Sequence, residues 1–224
     1  IIDYLAAKAL REGRTAPEDF PLTCPNIAEV EAINRVTTLA SLVGCPLYIV
    51  HVSAKESIPL LHELRDRMPT LYAETCPQYM LFTDAEMARR GRLAKMGPPL
   101  RKAEDNAAMW QGLAEGVLDV IGSDSVGANI ASKVSGGSLS TTPAPDNIFE
   151  ARFGVPGAEW MFQAVYDEAV GRGRLTLSRL AQVFCANPAR IFSLYPRKGT
   201  LQPGSDADLV VFDPHTSHTN SAQR

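Results

Sequence analysis

The stretch Pro46-Leu47-Tyr48-Ile49-Val50-His51-Val52-Ser53 carries the clearest signal for the fold of this chain. Its apolar residues form a short continuous run that begins just after Gly44, which is typical of a strand buried on both faces of a parallel sheet. A single histidine, His51, stands at the carboxyl end of the run, and a helical stretch follows Ser53. The pattern predicts a strand over residues 46–51 that brings an imidazole to one edge of a sheet.

Two further apolar runs end close to residues that can carry chemistry. Residues 117–122 predict a strand that is followed closely by Asp124, and residues 71–75 predict a strand that is followed by Cys76. In a βα barrel the active-site residues project from the carboxyl ends of the strands. We therefore expect His51 and Asp124 to lie at the ends of neighbouring parallel strands and to point into one cavity.

Helical patterns alternate with these strands. Apolar residues recur at helical spacing within residues 2–12, 27–43, 57–68, 103–114, 158–171, 177–185 and 187–192. Strands that alternate with helices over residues 1–125 predict parallel βα units. Three such strands are too few for a closed barrel, which needs eight strands and roughly 250 residues.

The composition is that of a folded protein of one or two domains. The chain has 224 residues, 45% of them hydrophobic, and a formal net charge of −3, so it can bury a sizeable core. No cluster of Lys and Arg stands out, which argues against nucleic acid and membrane surfaces as partners. The longest apolar run is far shorter than a membrane span. The chain begins at Ile1 without an initiator Met, so we expect its natural N-terminus to be absent.

The cysteines indicate free thiols in a cytoplasmic protein. There are four, with no Cys-x-x-Cys pair: Cys24, Cys45, Cys76 and Cys185. Two disulfides are arithmetically open, but buried free thiols fit this spacing better. Cys76 follows a strand and a nucleophilic role is conceivable, yet no His or Asn context supports it.

Two stretches rich in turn-forming residues interrupt the pattern. Residues 125–147 contain many Gly, Ser, Thr, Ala and Pro residues and offer few side chains to bury. Such a stretch is either a functional lid or plainly disordered, and both interpretations stay open. Near the C-terminus, residues 199–214 predict two short strands joined by a turn at Pro203-Gly204, which suits a small separate sheet.

His51 and Asp124 are residue types that bind divalent metals. Zinc takes histidine nitrogen and carboxylate oxygen ligands, and hydrolytic sites keep one position open for water. Each residue also has a plainer explanation. A strand-end histidine is often a hydrogen-bonded core residue, and Asp124 could cap the turn that follows it. The remaining histidines fall on a polar helix face or in the polar tail: His62, His215 and His218.

The order of several motifs resembles one enzyme family. The motifs are Tyr48-Ile49-Val50-His51-Val52-Ser53, Glu74-Thr75-Cys76-Pro77-Gln78-Tyr79, Pro98-Pro99-Leu100-Arg101, Gly122-Ser123-Asp124, Asn187-Pro188-Ala189-Arg190-Ile191-Phe192 and Gly204-Ser205-Asp206-Ala207-Asp208-Leu209-Val210. Together they resemble the C-terminal half of the hydantoinase and dihydropyrimidinase family, which belongs to the amidohydrolase superfamily. The match covers nearly the whole chain, and the combination is specific although no single motif is.

The resemblance implies an α/β fold in two parts. Residues 1–198 would be the C-terminal part of a TIM-type (β/α)8 barrel, and residues 199–224 would begin a small β-sandwich. It also implies two divalent metal ions, zinc, in the intact protein. His51 matches one histidine ligand, and Asp124 matches the aspartate ligand that also carries the proton in catalysis. The other ligands would lie upstream of Ile1, so we expect this chain to be part of a longer protein.

Three positions depart from the common pattern of the family. Gly97 stands where many relatives have Ser before Pro-Pro, Phe153 where many have Asn, and Ser125 where many have His. In the family the Ser and Asn positions contact the substrate ring, so the resemblance makes Gly97 and Phe153 substrate-binding residues. Phe153 would make that wall of the site more apolar.

The resemblance implies hydrolysis of a small cyclic amide, a hydantoin or a dihydropyrimidine, by a homo-oligomer that is a dimer or a tetramer. One alternative is a non-catalytic scaffold like the collapsin response mediator proteins, which the presence of His51 and Asp124 disfavours. Another is a dihydroorotase or an allantoinase. Those sister enzymes usually carry histidines where Cys76-Pro77-Gln78-Tyr79 stands here.

Overall fold

Among the residues that the structure describes, three parallel strands form one sheet. The computed structural model describes residues 1–127, Ile130, Lys133, residues 147–217 and Thr219. In both chain order and spatial order, the strands of the sheet are β1 (Leu47–Ile49), β2 (Leu71–Thr75) and β3 (Val120–Ile121). Both neighbouring pairs run parallel. The predicted βα units are therefore present, and the strands of the described ranges form an open sheet rather than a closed barrel.

Helices connect and flank the strands. They are α1 (Ile2–Arg11), α2 (Asp19–Thr23), α3 (Asn26–Val43), α4 (Ser57–Arg67), α5 (Pro77–Leu81), α6 (Ala85–Arg90), α7 (Ala103–Glu115), α8 (Met161–Tyr166), α9 (Leu177–Ala181) and α10 (Asn187–Ile191). Short 3-10 helices cover Gly91–Ala94 and Ile148–Glu150. Helices α8 and α9 each continue into a π-helical turn, at Asp167–Gly171 and Gln182–Ala186.

The sheet brings the carboxyl ends of its strands to one edge. Leu47 of β1 lies opposite Leu71 of β2, and Glu74 of β2 lies opposite Val120 of β3. The third strand is shorter than the prediction over residues 117–122. The backbone N–H of Leu118 donates to the carbonyl oxygen of Gly112 in α7, at 3.0 Å, so the start of the predicted strand bonds to a helix. Bonding to β2 begins at Asp119, whose N–H donates to the carbonyl oxygen of Ala73 at 2.8 Å.

The core lies between the sheet and its helices. Leu61 of α4 and Leu113 of α7 are fully buried, and they belong to one apolar cluster with the buried residues of β2. Gly112 lets α7 approach its neighbours closely, since a Cβ atom built there would lie 2.9 Å from Cδ1 of Ile58. Helix α7 then ends at Gly116, whose φ of +84° is the left-handed conformation that glycine adopts without steric cost.

Part of the apolar surface is exposed. Helix α3 directs Leu39, Leu42 and Val43 to solvent, and Val50 is exposed beyond the end of β1. In the part of the chain that the structure describes, β1 pairs with β2 alone and its other edge is open. Exposed edges and apolar faces are what we expect of an incomplete barrel, because the remaining strands would cover them.

The predicted strands of the C-terminal tail are not confirmed. Residues 199–217 contain a turn at Pro203–Gly204 but no strand, and Val211 is 94% exposed. Phe212 is the exception, because its ring packs edge-on against the rings of Phe162 and Tyr166. A two-stranded hairpin without a third strand or a covering layer is only marginally stable in water. The domain boundary after residue 198 and the β-sandwich therefore stay predictions.

Two further expectations concern the stretch predicted as a lid or a disordered loop, and helices that could cross a membrane. Most of the stretch predicted as a lid or a disordered loop, residues 125–147, lies outside the described residues. At its start, Ser125 forms an isolated parallel bridge with Val155. Among the helices that the structure describes, none is long and apolar enough to cross a membrane.

Candidate active site

His51 and Asp124 lie at the same edge of the sheet. His51 follows the end of β1 and Asp124 follows the end of β3. Because β1, β2 and β3 are parallel, the carboxyl ends of all of them meet at this edge. One detail of the prediction is wrong. The strands that carry His51 and Asp124 are not neighbours, since β2 lies between them and hydrogen-bonds to both.

Both residues have an unusual backbone conformation. The φ angle is +46° at His51 and +45° at Asp124. Positive φ is uncommon outside glycine, although Asn, Asp and His adopt it several-fold more often than other residues. Such conformations cluster at functional sites, where the surrounding structure holds the chain in place. Here they end the strands and turn the chain just where the two candidate ligands stand.

The middle strand contributes a buried thiol. Cys76 follows β2 and is fully buried. Burial, together with the charges of Glu74 and Asp124, raises the pKa of the Cys76 thiol far above its usual value. The thiol therefore stays neutral, which argues against a nucleophilic role. All four cysteines are free, as expected, but only Cys24 and Cys76 are buried, whereas Cys45 and Cys185 are exposed.

A cavity of about 760 Å³ opens beside β1. His51, Gly97 and Phe153 line it together with apolar side chains of α3 and β1. The structure therefore brings together three of the four predicted site residues. Asp124 is exposed and does not line this cavity, so the expectation that it shares one cavity with His51 is not met. A Cβ atom built on Gly97 would lie 3.1 Å from Cδ1 of Phe153, so the two predicted substrate-binding positions are direct neighbours.

A polar network next to His51 was missed by the sequence analysis. The carboxylate of Glu29, on α3, accepts hydrogen bonds from the backbone N–H groups of Ser53 (3.0 Å) and Ala54 (2.9 Å). It also accepts from the hydroxyl of Ser57, at 2.8 Å. Arg101, which is nearly buried, forms an ion pair with Glu29 at 3.5 Å and donates from Nε to the hydroxyl of Ser53 at 3.2 Å.

This network holds the segment that follows His51. Because Glu29 and Arg101 bind the backbone and hydroxyl of Ser53, they fix the chain just beyond the candidate ligand. On the other side, Val52 donates to the carbonyl oxygen of Glu74 at 2.7 Å, and Thr75 donates its hydroxyl to the carbonyl oxygen of Val52 at 2.7 Å. The motifs around Ser53 and Arg101 were the available signal in the sequence. Nothing there pointed to Glu29.

Comparison with known proteins decides the family. A family model described as amidohydrolase family matches residues 43–223. The chain belongs to the amidohydrolase family. This amidohydrolase chain is 36% identical over 225 residues to the D-hydantoinase of Streptomyces coelicolor, covering 99% of the chain and 46% of that relative. It is 37% identical over 219 residues to the allantoinase of Rubrobacter xylanophilus, covering 97% of the chain and 46% of the relative.

Solved structures agree with this assignment. A crystal structure of a D-hydantoinase matches the amidohydrolase chain with a TM-score of 0.91 at 33% identity, covering 99% of this chain and 47% of the other. The resemblance to hydantoinases and dihydropyrimidinases that the motifs indicated is thereby confirmed. The chain spans about half the length of the curated relatives it matches.

The amidohydrolase chain supplies donor groups that suit a metal ion. An imidazole nitrogen and a carboxylate oxygen are both zinc ligands, and zinc sites in enzymes use three protein ligands. Within the described ranges, the side chains of His51 and Asp124 form no hydrogen bond or ion pair, and no group of three or more His, Cys, Asp and Glu residues is arranged to hold a metal. His51 and Asp124 have the chemistry of metal ligands, and the described residues do not complete a metal site around either of them.

The network around Glu29 predicts a large loss of stability when its charge is removed. In the intact protein, E29Q should lower the free energy of unfolding by about 3 kcal/mol, because it leaves the buried guanidinium of Arg101 without its counter-charge. The matched control is E31Q on the same helix, where Glu31 pairs with Arg35 on the exposed surface and the loss should stay below about 0.5 kcal/mol. Urea denaturation measures both. Equal losses in the two variants would contradict the role given to Glu29.

Proposed function

We propose that the intact protein containing this chain is a metal-dependent hydrolase that opens small cyclic amides, such as hydantoins or dihydropyrimidines. The bond that breaks joins the carbonyl carbon to the ring nitrogen. The observation that carries the proposal is the position of His51 and Asp124 at one sheet edge, in a chain that is 36% identical to a D-hydantoinase.

The roles of the two residues follow from their chemistry. A bound divalent metal lowers the pKa of water and polarises the carbonyl of the substrate. In the proposal the imidazole of His51 holds a metal ion, and the full site holds two zinc ions. A carboxylate oxygen of Asp124 accepts a proton from the attacking water and then delivers that proton to the leaving ring nitrogen. The carbonyl carbon gains the oxygen of water, and the products are a carboxylic acid and an N–H group.

Gly97 and Phe153 lie beside His51 on the wall of the cavity next to β1, and this position supports the proposal that they contact the substrate ring. Glu29 and Arg101 would act indirectly, by holding the segment after His51 so that the imidazole keeps its position.

One alternative has specific support, and a second is consistent with the fold. The allantoinase relative, at 37% identity, favours a sister enzyme that acts on a different ring. A scaffold that kept the fold and lost the chemistry is also consistent with the fold alone, since fold does not determine function. The retained His51 and Asp124 support an enzyme over a scaffold.

We also propose an oligomeric state and a cellular location for the protein. The resemblance to the hydantoinase and dihydropyrimidinase family supports a homo-oligomer, a dimer or a tetramer. The free cysteines support a cytoplasmic location.

The test is ring opening by the intact protein. We expect hydantoin or dihydrouracil to be opened by the zinc-loaded protein, and the activity to disappear on chelation and to return when zinc is added. Opening of allantoin alone would favour the sister enzyme. Zinc-loaded protein that opens none of these rings would favour the scaffold.

A further inference from the structure

Two buried ammonium groups connect distant parts of the chain. Lys95 is 1% exposed and Lys133 is 3% exposed. The Nζ of Lys95 donates to the carbonyl oxygens of Phe149 (2.9 Å) and Ala151 (2.7 Å). The Nζ of Lys133 donates to the carbonyl oxygens of Lys95 and Gly154, both at 2.7 Å. We call these two side chains the lysine clamp, because together they tie the backbone at residue 95 to the backbone of residues 149–154.

Neither ammonium group of the lysine clamp has a counter-charge in the part of the chain that the structure describes. Their hydrogen bonds go to carbonyl oxygens, and neither forms an ion pair. The carboxylates on the elements packed against them are engaged elsewhere or exposed: Glu150 bonds to Asn147, Asp19 pairs with Arg14, and Glu18 is exposed. A buried cation is costly and is usually paired. Two such groups without a carboxylate partner make this region sensitive to the loss of their protons.

The surroundings of the two lysines favour that loss at mildly alkaline pH. Burial lowers the pKa of Lys95 and of Lys133 to about 8. The charges of Lys133 and Arg92 lower the pKa of Lys95 further, and the charge of Arg152 acts in the same direction on Lys133. Cys24 would favour the charged form of Lys95 only as a thiolate, and burial raises the pKa of the Cys24 thiol. Both lysines are therefore mostly charged at pH 7 and mostly neutral at pH 9.5.

The charged form of the lysine clamp makes stronger contacts than the neutral form. The Nζ of Lys95 lies 4.2 Å from the centroid of the Phe153 ring and 5.2 Å from that of the Phe20 ring. These are cation–π contacts, whose attraction depends on the positive charge. Hydrogen bonds from a charged donor are also roughly twice as strong as those from a neutral donor. A neutral amine can still donate, so deprotonation weakens the contacts of the clamp without removing all of them.

We propose that Lys95 and Lys133 form a pH-sensitive clamp, which holds residues 149–154 in place while both groups are charged and releases them in part when the protons leave. Global stability should change in the opposite direction. An exposed lysine has a pKa of about 10.4, so the unfolded chain binds more protons than the folded chain between about pH 8 and pH 10.4. The free energy of unfolding therefore gains from these two lysines as the pH rises through that window, and this gain is lost as the pH falls through 8.

Hydrogen exchange in the intact protein separates the local effect from the global one. The quantity is the protection factor, corrected for the intrinsic effect of pH on exchange, at pH 7 and at pH 9.5. Residues 149–154 should lose about tenfold in protection at pH 9.5, because charge-assisted hydrogen bonds become neutral ones. Helix α7 should keep its protection or gain. The matched control is K8M, since Lys8 pairs with Glu12 on the exposed surface, and it should behave as wild type. Equal protection of residues 149–154 at both pH values in wild type would overturn the proposal.

A second variant tests whether the two lysines act together. K133M removes one charge and the hydrogen bonds to the carbonyl oxygens of Lys95 and Gly154, so residues 149–154 should be less protected already at pH 7. Removal of that charge also raises the pKa of Lys95, so the midpoint of the remaining loss of protection should move to higher pH. An unchanged midpoint, or wild-type protection at pH 7, would overturn the proposal. If K133M does not fold, the pH series on the wild type decides alone. Neither measurement needs substrate or metal, so the outcome is independent of the proposed function.

Discussion

Replacing Asp124 with Asn in the intact protein should lower the turnover of cyclic amides by about 10²–10⁴-fold, the range typical of losing a general acid–base. The amide of Asn cannot accept a proton from water and return it to a leaving nitrogen. The fold should be kept, because Asn fills the same volume and tolerates the positive φ of residue 124 as well as Asp does. The variant therefore separates chemistry from folding.

The measurement compares kcat and urea unfolding curves for wild type, D124N and D66N. Asp66 is an exposed residue of α4, so D66N makes the same chemical change away from the sheet edge and should leave both quantities unchanged. Near-normal turnover in D124N would remove the proposed role of Asp124 as the proton carrier. A large loss of stability in D124N would instead indicate a structural role.

Replacing His51 should weaken metal binding before anything else. Loss of a ligand should lower metal affinity by more than the roughly 10–100-fold seen when a supporting residue of a metal site is lost. The design uses two variants, since His51 has a φ of +46°. H51N removes the imidazole and keeps a residue that tolerates positive φ, whereas H51A removes the imidazole and adds strain of about 1–2 kcal/mol.

Metal content after dialysis, and activity as a function of added zinc, are the readouts for His51. Both variants should lose zinc and regain part of their activity at high zinc concentration, while only H51A should also lose stability. The control is H62N, because His62 is exposed on α4. Full zinc content in H51N would show that His51 is not a ligand. An inactive wild type without zinc would favour the scaffold.

The local elements of the fold were predictable from the sequence. The apolar run before His51 is β1, and Gly44 and Gly116 end α3 and α7 in the left-handed conformation. These features depend on residues only a few positions apart, so the sequence pattern contains the necessary information. The C-terminal tail was not predicted correctly from the sequence, because a strand forms only when another strand pairs with it. Residues 199–217 have strand-like residues and no partner among the described ranges, and they form no strand.

The sequence by itself determined which residues stand at the strand ends, His51 and Asp124, because a position after an apolar run is a local property. It also identified the family through the order of its motifs. Only the tertiary structure decided that β2 separates the two candidate ligands, that Glu29 binds the segment after His51, and that Phe153 fills the space beside Gly97. These contacts join residues far apart in the chain. They form only when packing of the whole core brings the elements together. Buried carboxylates and rings make these contacts in the packed interior, from which water is excluded.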